Sequence, residues 1–87
     1  MTKLFFERIE DMNVDRPYLF VFLLEDDQTY WVGKFTQFLE IFIQPNNELE
    51  FVLCPTHDTV RLTKLQWQEI MDKSHKFLEF VLERGDD

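Results

Sequence analysis

A lone cysteine, Cys54, has no partner for an internal disulfide, so the chain suits a reducing intracellular compartment, nucleus or cytoplasm. Only two glycines, Gly33 and Gly85, are present, which excludes a glycine-rich phosphate loop. No apolar run approaches the roughly eighteen residues that cross a bilayer, and Tyr18 to Leu24 is far too short, so no membrane association is expected. Acids appear by Glu7, and no signal-peptide layout precedes them. Cations are scarce: nine Lys and Arg against seventeen Asp and Glu leave a formal charge of −8, the wrong sign for a typical nucleic-acid face. The distribution is uneven, with −4 over residues 1–27, −1 over 28–64 and −3 over 65–87. The middle is nearly neutral.

What is abundant is apolar. In 87 residues, 45% are hydrophobic and ten are Phe, which excludes a disordered tail and fits one packed domain over 1–87. A single core of this size is marginal on its own, and pairing of two copies would help it. The short, Phe-, Asp- and Ile-rich composition suits a viral or mobile-element origin.

The pattern predicts α+β: an antiparallel sheet meander over 17–62, then a C-terminal amphipathic helix over 63–83. Thr63 and Gln66 form a capping-box pattern, and Trp67, Ile70, Met71, Phe77, Leu78 and Val81 recur at helical spacing. Ser74 is the small polar step on that stripe, and Gly85 is a plausible stop. Leu65 and Phe80 lie off it, so the helix has more apolar surface than one sheet covers. A homodimer through Trp67, Met71, Phe77, Phe80 and Val81 is therefore expected, although Trp67 taken alone reads as core.

Upstream, residues 1–14 are ambiguous between a short helix and an edge strand, LFFERI. Tyr18–Leu24 reads as a strand buried on both faces. Thr29–Lys34 reads as a strand with a bulge at Gly33, and only one of Tyr30 and Trp31 can point inward. Phe35–Gln44 continues as a strand with Leu39, Ile41 and Ile43 on one face and Phe38, Glu40, Phe42 and Gln44 on the other. Pro45-Asn46-Asn47 is turn chemistry, Glu48–Leu53 the answering strand and Thr59–Leu62 a short last one.

Two stretches carry a resemblance. Tyr30-Trp31-Val32-Gly33-Lys34 and Val60-Arg61-Leu62-Thr63-Lys64-Leu65-Gln66-Trp67 resemble, in order and separation, motifs of the single-stranded-DNA-binding transcriptional coactivators of the positive cofactor four type. The resemblance covers roughly residues 29–82. It implies a curved antiparallel sheet backed by a helix, a homodimer, and binding of single-stranded DNA or RNA as a transcription or replication cofactor. Trp31, Phe35 and Phe38, with Phe42 as a further candidate platform, would stack bases, and Lys34, Arg61 and Lys64 would follow phosphates. Several basic positions of the family pattern are occupied otherwise here, by Thr36, Ile41 and Glu48, which lowers the expected affinity.

The contrasting expectation is an acidic dimeric module on the same fold that binds a basic protein partner through its acidic ends and the Glu48/Glu50 strand. No catalytic residues, cofactor or metal are expected. Cys54 and His57, with His75, fall short of the four ligands of a structural zinc site, and no nucleophile signature surrounds Cys54. Glu48 and Glu50 read as solvated edge charges rather than an acid pair.

Overall fold

The computed structural model describes residues 2–13, 15–54 and 59–84. Four strands, β1 (Thr2–Ile9), β2 (Tyr18–Glu25), β3 (Leu39–Ile43) and β4 (Leu49–Leu53), precede one helix, α1 (Lys64–Arg84). Sheet order follows chain order, and every neighbouring pair is antiparallel. The α+β meander with a C-terminal helix is thus as the pattern predicts, and LFFERI resolves as part of the edge strand β1. No helix among the described residues is long and apolar enough to cross a membrane.

Strand alternation divides the sheet into two faces. Leu4, Phe6, Leu19, Val21, Leu39, Ile41, Ile43 and Leu49 share the face covered by α1, which supplies Ile70, Phe77 and Val81 to the same core. Val21, Leu39, Ile41 and Ile70 are fully buried, each contributing about 1.5–3 kcal/mol of apolar transfer. Ser74 sits inside this stripe, its hydroxyl donating to the Met71 carbonyl at 2.9 Å. That bond removes the cost of burying a polar step.

The helix start is held as its sequence predicts. Gln66 N donates to Thr63 Oγ1 at 3.0 Å, and Thr63 N donates to Gln66 Oε1 at 2.9 Å. From there α1 runs alongside β1: Gln66 meets Thr2, Lys73 lies over the Phe6 ring, and Arg8 over that of Phe80. The fourteen helix steps from Gln66 to Phe80 cover about 21 Å, and the six strand steps from Thr2 to Arg8 about 20 Å. The two elements therefore stay matched along their length.

The 45–47 turn follows its chemistry closely. Asn47 N donates to Gln44 O at 2.8 Å, Gln44 N donates to Glu48 O at 2.8 Å, and Asn47 holds φ 69°. This is a three-residue hairpin with Pro presetting the first turn position and Asn accepting the left-handed one.

Three strand expectations are corrected. Thr29–Lys34 and Phe35–Phe38 are not strand, and neither is Thr59–Leu62. Lys34 N donates to Trp31 O at 3.1 Å, with Gly33 at φ 83°, so this stretch is a tight turn with glycine at the position needing positive φ. The aromatic and β-branched residues there satisfy strand propensity but serve a different contact: Tyr30 folds down onto the sheet. Among the described residues the 17–62 region therefore holds three strands of the meander, β2, β3 and β4, where the pattern predicts five. Pro55, Thr56, His57, Asp58 and Gly85 lie outside the described residues.

Candidate functional site

The face of the sheet opposite α1 carries Lys3, Phe5, Glu7 and Ile9 from β1, Tyr18, Phe20, Phe22 and Leu24 from β2, Glu40 and Phe42 from β3, and Glu50 and Val52 from β4. The loop between β2 and β3 covers one end of it. Tyr30 stacks on Phe5 with centroids 4.3 Å apart and planes at 14°, and it packs 4.8 Å from Phe22. Its hydroxyl donates to Glu7 Oε1 at 2.7 Å. Burial, then the hydrogen bond to the Glu7 carboxylate, then its charge, raise the Tyr30 pKa above the usual phenol value. Phe22 and Leu24 are consequently buried although they point away from α1.

The other end is uncovered. Tyr18 stacks on Phe42 at 4.9 Å and leans against Phe20 at 5.6 Å, and Phe20 meets Phe22 edge-on at 6.4 Å. Tyr18, Phe20 and Phe42 are half-buried, so each ring keeps an accessible surface. Carboxylates frame them: the register sets Phe20 between Glu7 and Glu40, and Phe42 beside Glu50. Gln37 Nε2 steadies Glu40 at 2.9 Å. Lys3 is the cation that the strands place on this face, and its Nζ donates to the Asp26 carbonyl at 3.2 Å, at the loop-covered end. The strand residues of the uncovered half are aromatic and acidic, with Arg16 held to the Gln44 carbonyl at 3.1 Å at its end.

Of the residues expected to bind nucleic acid, Phe42 lies on that surface and the others do not gather there. Phe38 is 5% exposed and belongs to the core beneath α1. Trp31 is 64% exposed on the covering loop, and Lys34 lies over the Phe35 ring at 5.6 Å in the same loop. Lys64 is the first residue of α1 and Arg61 precedes it by three, both exposed. Trp31, Phe35 and Lys34 therefore share one loop, while Phe38 is taken up by the core.

Of the helix residues expected at a dimer seam, Phe77 and Val81 lie in the chain's own core. Phe80 is partly exposed between the guanidinium groups of Arg8 and Arg84. Met71 is half-buried. Trp67 is 46% exposed and not core, because the sheet-facing line of α1 passes through Ile70, Ser74, Phe77 and Val81 and leaves Trp67 on the flank.

Cys54 is half-buried, and burial, then the nearby Glu40 charge, push its thiol pKa up. That favours the inert thiol over the thiolate at neutral pH. Among the described residues no group of His, Cys, Asp and Glu is placed to hold a metal ion, and His57 lies outside them. Glu48 and Glu50 are exposed.

Of the Tyr18, Phe20 and Phe42 cluster, Phe42 alone is singled out from sequence, as a stacking platform, and Tyr18 and Phe20 are missed. Their signal was present in the even-numbered aromatics of β2, but a run apolar at every position hides which face is open. Comparison with protein-family models, curated proteins and solved structures finds no match to this chain.

Proposed function

We propose that the chain is a protein-binding module, working as paired copies, whose aromatic sheet face takes up a basic segment of a partner protein. The observation that carries this is the Tyr18–Phe20–Phe42 ring cluster framed by Glu7, Glu40 and Glu50. An arginine suits such a surface on both counts. Its planar guanidinium stacks on aromatic faces and pairs with carboxylates, and its stem covers apolar area. Each ring contact of this kind is worth about 0.5–2 kcal/mol, so several side chains of one segment would act together. The net charge of −8 adds long-range attraction for a cationic partner and speeds encounter.

Single-stranded nucleic acid is the competing ligand, favoured by the exposed Trp31 beside Lys34 and Phe35. Phosphates approaching the larger ring cluster would meet carboxylates, which weighs against that ligand there.

The discriminating experiment titrates the full chain by fluorescence anisotropy against an arginine-rich peptide of about twelve residues and an oligo-dT of about twenty nucleotides. Peptide binding in the micromolar range that weakens with salt and is abolished by Phe42→Ala and Glu50→Lys is expected. Oligo-dT binding without peptide binding would overturn the reading in favour of nucleic acid.

A further inference from the structure

We propose that two copies of the chain join through β4 in antiparallel register about a two-fold axis at Phe51, making one continuous eight-stranded sheet. This specifies the pairing in the functional reading above and is independent of which ligand the open face takes.

The backbone of β4 supplies the first step. Gln44 N donates to Glu48 O, and Cys54 N donates to Phe38 O at 2.9 Å, so both ends of the β3–β4 ladder are hydrogen-bonded pairs. Such pairs alternate along an antiparallel ladder. Glu48, Glu50, Val52 and Cys54 therefore turn their backbone groups toward β3, and Leu49, Phe51 and Leu53 turn theirs outward. No strand among the described residues receives them.

The two edges of the sheet are not equivalent. β1 carries Lys3, Glu7 and Arg8, and Gln66 Nε2 donates to the Thr2 carbonyl at 3.2 Å, all features that discourage further pairing. β4 has a single charge after Leu49, namely Glu50, and ends in Phe51, Val52 and Leu53, exposed by 36%, 37% and 75%. An uncharged, exposed apolar strand end with unpaired backbone groups is a template for another strand.

Charge then selects both the occupant and the register. A second β4 centred on Leu49 would oppose Glu48 of one copy to Glu50 of the other, and centring on Glu50 would oppose that residue to itself; like charges facing directly are unfavourable. Centring on Val52 would pair Leu49 with Pro55, which has no N–H to give. Centring on Phe51 sets Glu50 against Val52, Glu48 against Cys54 and Leu49 against Leu53, and lets Leu49, Phe51 and Leu53 all exchange backbone hydrogen bonds. In this register the exposed side chains of Phe51 and Leu53 meet apolar counterparts on the α1 side of the sheet. The strand is complementary to itself.

Light scattering on the full chain should give about twice the 10.7 kDa chain mass. Leu53→Lys alters a side chain that lies outside the core, so it should give a monomer with an unchanged circular-dichroism spectrum. In a Cys54→Ser background, Phe51→Cys lies on the axis and should form an inter-chain disulfide under mild oxidation. Glu50→Cys, offset from its own copy, should do so at least about tenfold more slowly. A monomeric unmodified chain, a dimer indifferent to Leu53→Lys, or equal cross-linking at positions 50 and 51 would overturn the proposal. A dimer of the expected mass that ignores the arginine-rich peptide would sink only the ligand reading.

Discussion

Gln66 donates from Nε2 to both the hydroxyl and the carbonyl of Thr2, at 3.0 and 3.2 Å, while its Oε1 accepts from Thr63 N. One amide thus caps α1 and ties the helix to the opposite end of the chain. Gln66→Ala should cost about 1–3 kcal/mol in urea unfolding, more than the roughly 1 kcal/mol of Thr63→Ala, because it loses the cap and the tie together. Equal losses for the two variants would show that the Thr2 contact contributes nothing.

The phenol of Tyr30 gives a pH dependence. Its folded-state pKa is raised above the unfolded value, so the native state holds this proton more tightly. The stability it contributes is fully present below the unfolded pKa of about 10 and is lost as pH rises through the folded pKa. Between pH 9 and 11, chemical denaturation should therefore show a steeper fall for the unmodified protein than for Tyr30→Phe.

Ile41 and Phe42 are adjacent and serve opposite faces. Ile41 is fully buried under α1, so Ile41→Ala should cost about 2–5 kcal/mol. That is a large part of the 5–15 kcal/mol typical of a whole domain. Phe42→Ala should be the milder change in thermal melts and should act on peptide affinity instead.

Asn47 holds a left-handed backbone. Asn47→Gly should leave stability nearly unchanged or raise it slightly, whereas Asn47→Val should cost about 1–2 kcal/mol in denaturant titrations.

Cys54 should react slowly with a disulfide reagent at pH 8, since burial and Glu40 both oppose the thiolate. Glu40→Gln removes the charge but keeps the shape, and it should speed labelling without unfolding the chain.

The helix and its cap were legible because their signals are local: Thr63 and Gln66 lie one turn apart, and Ile70, Ser74, Phe77 and Val81 repeat at helical spacing. The alternation of Leu39, Ile41 and Ile43 likewise set these three on one face of β3, without saying which face α1 covers. Residues 29–38 were misread because Tyr30, Trp31 and Phe35 favour strands in isolation, and only the partner rings Phe5 and Phe22 turn Tyr30 into a lid. Trp67 looked like core because spacing alone does not say how wide a strip of helix the sheet covers. The open aromatic face was hidden for the same kind of reason: which half of β2 is sheltered depends on a loop that arrives later in the chain.

Since α1 closes the core and comes last among the described elements, a ribosome making this polypeptide releases the strands first, with Val21, Leu39 and Ile41 still wet. During that interval the nascent chain offers sticky surface to chaperones and to sister chains. Truncations ending before Ile70 should accordingly be recovered as aggregates or chaperone complexes, whereas chains released with the full helix should fold unaided.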